Sequence, residues 1–360
     1  MSEDFSRIMI EQMDRLFEQQ VTKDVLTAAD RGDWPAAAWS AVSEAGLPHA
    51  MVAETSGGLG LSPVDAMSLM RRMGYHAVPL PLAETMVANH LFVEAKGEPL
   101  DGPVVFAPVT ADDRILVTFD RDGAALSGAV SYVPWGGHVE SLVVFARDKS
   151  GKGYLVRIAR DAIAATRSRR NVAYEPRDNL TLDGVHLPLA AVLEAPAYLQ
   201  DGGLLPYVAA IRVQQMVGAM ERALDYALTY ANERVQFGRP IAKFQAIQHM
   251  LATAAGHFAA ASAAADAMAE SATFAGDLFT VAVAKARCGE AAGHVAAACH
   301  QVHGAMGFTH EHALHFTTRR LWSWRDEGGG ESYWQEWIGR NVCALGGEAL
   351  WPAITGSGKL

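Results

Sequence analysis

The sequence predicts an α+β protein laid out as helices, then strands, then a helical bundle. Three observations predict it. Apolar residues recur at helical spacing up to about residue 95. After Pro99 the texture changes to short β-rich runs separated by Asp-Gly, Gly-Gly and Lys-Ser-Gly-Lys-Gly turns. From Gly203 the helical period returns and lasts nearly to the end. The expected boundaries are 1–98 for an N-terminal helical domain, 99–200 for an antiparallel β-barrel or sandwich, and 201–360 for a C-terminal four-helix bundle.

The N-terminal helices begin with the amphipathic "FSRIMIEQMDRLF". A second, "SPVDAMSLMRRMGYHA", has Ser62 placed to cap it and Pro63 in its first turn, where a missing N–H does no harm. The glycine-rich "AETSGGLGLSP" joins helical segments. The strand candidates are "PVVFAPV", "RILVTFDRDGAALSGAVSYVPW", "SLVVFARDKSGKGYLVRIA" and "NLTLDGVHLP". In the C-terminal part Val281, Cys288, Val295 and Val302 fall seven apart, with Ala292 and Cys299 on the same face, as a buried helix stripe requires. Alanine-rich contacts of this kind let bundle helices approach closely.

Composition narrows the function. The chain has 360 residues, half of them apolar, and a formal net charge of −10. That balance argues against a nucleic-acid partner, since no basic stripe offsets it. Cys288, Cys299 and Cys343 lack metal-ligand spacing and lie in apolar helical patterns, which predicts buried thiols in a reducing compartment. The alanine-rich stretch around 250–265 contains His257 and is flanked by His249 and Asp266, so a packed helix is expected there and not a membrane span. A cytoplasmic protein without a bound metal is expected.

Two segments carry hydrogen-bonding equipment between otherwise apolar helices. In "NERVQFGRPIAKFQAIQHMLA", Arg234 offers a forked, permanently charged donor suited to phosphate oxygens. Phe237 supplies a flat apolar face, Gly238 and Pro240 break the helix, and the next helix is expected near Ala242 with Gln245 and Gln248 in its first turns. On the residues alone, a surface pair of Arg234 with Glu233 or Asp225 accounts for the segment equally well. In "QVHGAMGFTHEH", a helix spanning 277–303 is expected to stop at Gly304. Thr309 is then expected to cap the next helix, with Glu311 in its first turn. A structural helix–turn–helix also accounts for that segment.

Taken in order, "GLGLSPVDA", "GGHVESLVVFAR", "LTLDGVHLP", "YANERVQFGRPIAKFQAIQHMLA" and "QVHGAMGFTHEH" resemble the flavin-dependent acyl-CoA dehydrogenases over essentially the whole chain. The resemblance implies the acyl-CoA dehydrogenase fold and FAD as cofactor. It implies that Arg234, Phe237 and Gln245 contact the FAD of a neighbouring subunit, with Gln301, Gly304 and Ala305 along the ADP half of that cofactor. Ala305 stands where the family usually has a second glycine. His303 reads as a turn histidine.

The pattern breaks where the family seats its flavin ring. A Thr-Glu-Pro loop and a following Gly-Ser-Asp element are replaced by "VVFAPVTADDRIL", in which only Pro108 and the acids echo them. By register on Gly136, a Trp-Ile-Thr type segment is replaced by Tyr132, Val133 and Pro134. Proline has neither hydroxyl nor N–H to offer the flavin N5, and Trp135 is out of register. The family's reaction removes a proton from the carbon α to a thioester and needs a carboxylate close to it. Glu327 occupies one family position for that base, beside Asp326, with Gly329 in place of a threonine. Charge pairing of Asp326 and Glu327 with Arg325 or Arg340 is the structural alternative. The other family position aligns near "YVAAIRVQQMVGAMERAL", which has no acid before Glu221; Arg212 and Gln214 are its nearest polar groups.

What is kept belongs to the half-site lent to a neighbour, and what is degraded belongs to the half-site a subunit uses itself. The resemblance therefore implies an acyl-CoA dehydrogenase subunit that binds the ADP end of FAD in an α2β2 heterotetramer with a catalytic paralogue. Its expected partners are an acyl-CoA substrate and an electron-transferring flavoprotein. Two alternatives stay open: a self-sufficient homotetramer with Glu327 as base, and a non-catalytic scaffold of the same fold.

Overall fold

A computed structural model describes residues 3–163, 165–270, 274 and 277–355. Five helices come first: α1 (Glu3–Gln20), α2 (Lys23–Arg31), α3 (Ala36–Glu44), α4 (Pro63–Tyr75) and α5 (Leu82–Glu94). The Ser62 hydroxyl accepts from the Asp65 N–H at 3.2 Å. Pro63 is the first helical residue, so this helix starts where its cap signal predicts. Helix α5 is buried on nearly every side, from Leu82 to Asn89 without interruption, which makes it a core helix and not a surface one.

Eight strands follow: β1 (Val104–Ala107), β2 (Arg114–Phe119), β3 (Ala124–Pro134), β4 (Ser141–Arg147), β5 (Gly153–Ala159), β6 (Ala165–Arg167), β7 (Arg177–Leu187) and β8 (Val192–Glu194). They run in the order β6-β7-β3-β2-β4-β5-β8, with β1 on β4. Most neighbours are antiparallel, as the turn signals predict. The sheet is nonetheless mixed, because β1 and β2 both meet β4 in parallel. Turn chemistry reports only hairpins, so these pairings between strands distant in sequence leave no local mark. Among the described residues the strand path does not close into a barrel by hydrogen bonds.

The rest is helical: α6 (Ala197–Gly202), the long α7 (Leu205–Glu233), a two-stranded hairpin of β9 (Val235–Gln236) and β10 (Arg239–Pro240), α8 (Gln245–Ala269), α9 (Leu278–His303), α10 (Leu314–Trp324), α11 (Glu331–Leu345) and α12 (Leu350–Ile354). Helix α7 packs against α4, α8, α9 and α10. It meets α4 backbone to backbone, an approach that only a residue without a Cβ permits. A Cβ on Gly218 would lie 1.8 Å from Arg71 O, and one on Gly74 would lie 2.1 Å from Gln215 O. The stripe of Val281, Cys288, Ala292, Val295, Cys299 and Val302 is buried, each valine contributing about 1.5–3 kcal/mol by leaving water.

Two expectations are corrected. Cys343 is exposed, unlike Cys288 and Cys299; α11 buries Trp334 while much of its length faces outward, so an apolar pattern there does not imply a buried thiol. Thr309 does not cap a helix. It closes the short 3-10 turn Gly304–Phe308, and α10 begins only at Leu314, because Thr309 N–H and hydroxyl both turn back to Met306 O. Among the described residues no helix is long and apolar enough to cross a membrane.

Candidate functional site

The first predicted segment forms at the C-terminal end of α7. Arg234 closes the helix with its N–H on Tyr230 O at 2.8 Å, and Ile241 N–H returns to Arg234 O at 2.9 Å across the hairpin. The hairpin turn has φ of 53° at Phe237 and 79° at Gly238. Such a left-handed pair suits a two-residue β-turn. Gly238 adopts this freely, whereas Phe237 does so against its own preference. Its ring is 93% exposed, so no burial compensates. Among the described residues the Phe237 ring contact is an edge-on one with Phe244 at 6.2 Å, and the Arg239 guanidinium covers Phe244 at 4.3 Å. The Arg234 side chain is exposed and makes no hydrogen bond or ion pair among the described residues. Asp225, the acid that could have held it, instead accepts from the Tyr75 hydroxyl at 2.8 Å. Gln245 opens α8 and is exposed; Gln248 donates to Ala242 O at 2.9 Å.

The second segment forms at the C-terminal end of α9. Gln301 is exposed. Gly304 stops the helix with φ 58° and ψ −138°, a conformation open essentially to glycine. A Cβ added to Gly304 would meet nothing within 4 Å, so the backbone there faces open space. Ala305 and Met306 are exposed beside it, and Phe308 is 70% exposed. The two segments are neighbours. Tyr230, one turn before Arg234, stacks on His303 at 4.6 Å, and His303 lies 4.5 Å from His312. His303 donates from Nδ1 to Cys299 O at 2.7 Å, which makes it a packed turn histidine; burial pushes its pKa down.

A cavity of about 570 Å³ lies between the sheet and the bundle. Val109, Tyr132 and Pro134 line it from the sheet side, and Leu205, Val208, Trp322 and Glu327 from the helical side. A second hollow of about 440 Å³ shares Thr110, Ala111, Leu205 and Tyr333 with it and reaches Arg114 and Arg147. Tyr132 (φ 57°) lies within an irregularity in β3, where the register with β7 shifts between Val130 and Val133, and Trp135 (φ 48°) follows the end of the strand; such shifts re-aim side chains. Tyr132 is thereby turned out, while Trp135 is buried beneath the Arg177 guanidinium at 5.2 Å and does not line the large cavity.

Glu327 sits at the floor of that cavity on the tight turn between α10 and α11. Its Oε1 accepts from Arg177 Nε at 2.9 Å and Asn171 Nδ2 at 3.0 Å. Its Oε2 accepts from Arg177 Nη2 at 2.9 Å and Arg212 Nε at 2.7 Å. A carboxylate has about four acceptor positions, so all are taken. Burial alone raises the Glu327 pKa, but the Arg177 and Arg212 charges, with the Arg177 and Asn171 hydrogen bonds, outweigh it and hold the group at about 2. Arg325 and Arg340, the partners weighed from the sequence, pair with Glu331 and Glu336 instead.

The pairing extends inward. Arg212 also donates to Glu84 at 2.8 Å and to Gln215 at 2.5 Å. Arg177 also donates to Glu175 at 2.9 Å, and Arg320 lies 3.1 Å from the same carboxylate. Three arginines thus face three glutamates drawn from α5, the β7 edge, α7, α10 and the α10–α11 turn, and the buried charge is balanced as a low-dielectric interior requires. Sequence reasoning missed Arg177, Asn171, Glu175 and Arg320 as partners. The available signal was a lone charge inside an apolar helical run, as Arg212 is in "YVAAIRVQQMV".

Comparison with known proteins adds the following. Residues 4–96 match the domain family described as acyl-CoA dehydrogenase, N-terminal domain, and residues 208–341 match acyl-CoA dehydrogenase, C-terminal domain. The chain is 28% identical to acyl-CoA dehydrogenase IpdE2 of Mycobacterium tuberculosis over 81% of its own length and 82% of that protein. The structure is similar to that of the ChsE4-ChsE5 complex from Mycobacterium tuberculosis, with a TM-score of 0.86 at 20% identity over 95% of this chain and 98% of that one. It is also similar to a variant of the Tcur3481-Tcur3483 steroid ACAD, with a TM-score of 0.81 at 23% identity over 95% and 98% of the two chains.

Proposed function

The chain belongs to the acyl-CoA dehydrogenase family, whose two domain matches together span more than half of it, and from that premise we propose that it is the nucleotide-lending subunit of an α2β2 acyl-CoA dehydrogenase whose base and flavin platform belong to a paralogous chain. One contrast carries the reading. All four acceptor positions of Glu327 are filled, whereas the exposed Arg234 guanidinium has no partner among the described residues.

A general base must turn a free lone pair toward the substrate proton. Glu327 has none to offer as it is held, and a group at about pKa 2 has little affinity for a proton near neutrality. The end of the bundle is suited to the ADP half of FAD. Arg234 can pair with the pyrophosphate, Phe237 gives the adenine or ribose a face, and Gln245 and Gln301 offer amides. Gly304 lets the ligand come close to the backbone, and Ala305 beside it adds only a methyl group. The large cavity fits the flavin ring poorly, because Pro134 has no N–H to donate. Bound FAD would supply the acceptor for the hydride from the β carbon, and Arg234, Phe237, Gln245 and Gln301 of this chain would hold its nucleotide end. The cavity and the hollow reaching Arg114 and Arg147 are of the size that accepts a thioester ligand. Similarity to the Tcur3481-Tcur3483 steroid ACAD favours a bulky acyl group, and we place the complex in the cytoplasm with an electron-transferring flavoprotein as acceptor.

Expression decides it. The chain made alone is expected to be colourless, and co-expression with its paralogue is expected to give a yellow complex with fewer flavins than chains. In that complex Arg234→Ala lowers flavin content, while Glu327→Gln, assayed well below the melting temperature, leaves turnover nearly intact. A yellow protein with one flavin per chain, made without any partner, overturns the proposal in favour of a homomeric enzyme.

A further inference from the structure

Lys285 lies on α9, inside the apolar run "VAVAKARCGE", and is only 1% exposed. A buried ammonium is expensive unless its N–H bonds are satisfied. Its Nζ donates to Arg325 O at 2.7 Å and to Gly329 O at 2.8 Å, so both bonds end on main-chain oxygens at the two ends of one turn. That turn, Arg325 to Gly329, forms part of the cavity wall through Asp326, Glu327, Gly328 and Gly329.

The turn does little to hold itself. Its main-chain bonds back to the end of α10, from Asp326 and Glu327 N–H to Ser323 O, are long at 3.3 and 3.4 Å. Gly328 and Gly329 both take left-handed φ, 71° and 89°. Outside contacts fix it: Trp334 Nε1 donates to Gly328 O at 2.9 Å, and a Cβ on Gly328 would lie 2.8 Å from Ala209 N. Between α7, α9 and α11 the turn is therefore wedged, and Lys285 is the part of the wedge that can lose its charge.

We propose that Lys285 is a positioning residue, a cationic latch that keeps the Arg325–Gly329 wall of the cavity firm while its ammonium is charged and lets it loosen on discharge. Charge-assisted hydrogen bonds are roughly twice as strong as neutral ones, so losing the proton weakens both ties to the turn at once. Burial pushes Lys285 down to about 8. The carboxylate of Glu331 on α11, Cys288 on its own helix, and Glu327 and Asp326 on the turn pull the other way. Arg325 belongs to the same turn and is paired with Glu331. Global stability moves oppositely. The unfolded lysine keeps its proton above the folded pKa, so stability rises with pH from about 8 toward the ordinary lysine value. A turn that loosens while the protein as a whole grows more stable is distinct from alkaline unfolding.

The test uses the full-length chain labelled with 5-fluorotryptophan, with the Trp334 ¹⁹F resonance followed from about pH 6.5 to about pH 9.5, across the depressed lysine value. The wild-type resonance is expected to shift sigmoidally with a midpoint of about 8. It is expected to be flat in Lys285→Met, which keeps the length of the side chain without its charge. Glu331→Gln removes a carboxylate that favours the charged lysine and lowers the midpoint. A flat wild-type resonance, or a transition that survives in Lys285→Met, overturns the latch. If Lys285→Met does not fold, an unmoved midpoint in Glu331→Gln does so. The readout needs neither flavin nor partner, so its failure leaves the proposed function standing.

Discussion

Arg212 Nε lies 2.7 Å from Glu327 Oε2. This contact joins the two places in the chain where the sequence resemblance allows a catalytic base. One place holds Glu327, the other has Arg212 and Gln214 as its nearest polar groups, and in the fold Arg212 and Glu327 neutralise each other. Arg212 is 2% exposed, and its pKa is raised: burial lowers it, but the charges of Glu327, Glu84 and Glu175 prevail. The pair is therefore a structural keystone between α7 and the α10–α11 turn.

Removing Arg212 leaves Glu84 and Glu327 short of a counter-charge. Breaking a buried pair from one side typically costs about 3–5 kcal/mol, so Arg212→Met is expected to lower the stability of the chain by that order. Chemical denaturation measures it. A loss below about 0.5 kcal/mol, the range of an ordinary surface change, would show the network to be slack.

Acid should act through the same group. The folded pKa of Glu327 is about 2, below its usual value of 4.5, so its stabilising contribution is complete above about pH 4.5 and is lost as pH falls toward 2. A depression of that size corresponds to about 3 kcal/mol. The acid limb of the stability–pH curve is expected to flatten by about that amount in Glu327→Gln, which has no proton to take up. Equal acid sensitivity in the two proteins, followed by thermal unfolding across the acid range, contradicts the assignment.

These residues also show where sequence reading stops. The α9 stripe from Val281 to Val302 is legible because helical period is a local property, and the Ser62 cap because three residues suffice to make it. The exposed Arg234 and the stop at Gly304 are likewise set by neighbours in the chain. Glu327 is different. Its partners lie 150 and 115 positions away, on β7 and α7, and only the packing of the sheet against the bundle brings them together. The parallel contacts of β1 and β2 with β4, and the outward face of α11 that exposes Cys343, are global in the same sense.

Arg234→Ala should separate stability from nucleotide binding. The side chain is exposed and unpaired among the described residues, so its loss is expected to change the stability of the isolated chain by less than about 0.5 kcal/mol. A charged hydrogen bond to phosphate contributes about 1.5–3 kcal/mol, so flavin affinity of the assembled complex is expected to fall by a factor of roughly ten to a hundred. Flavin retention during dialysis, set beside the melting curve of the chain alone, distinguishes the two effects. A variant that melts early yet keeps its flavin would place Arg234 in the scaffold.

Phe237 offers the opposite combination. Its φ is 53°, and at 93% exposure the ring recovers almost nothing by burial in this chain. A left-handed conformation of this kind costs a non-glycine residue about 1–2 kcal/mol. Such strain persists where something else requires the side chain. Phe237→Gly removes both the strain and the ring, although glycine's extra freedom in the unfolded chain returns about 0.5–1 kcal/mol of the gain. The variant is therefore expected to be as stable as the wild type or slightly more so, and to retain flavin less well in the mixed complex. Denaturation of the isolated chain and flavin content of the complex are the two measurements. If the hairpin is destabilised and flavin content is unchanged, the ring is packing for this fold alone and offers nothing to a nucleotide.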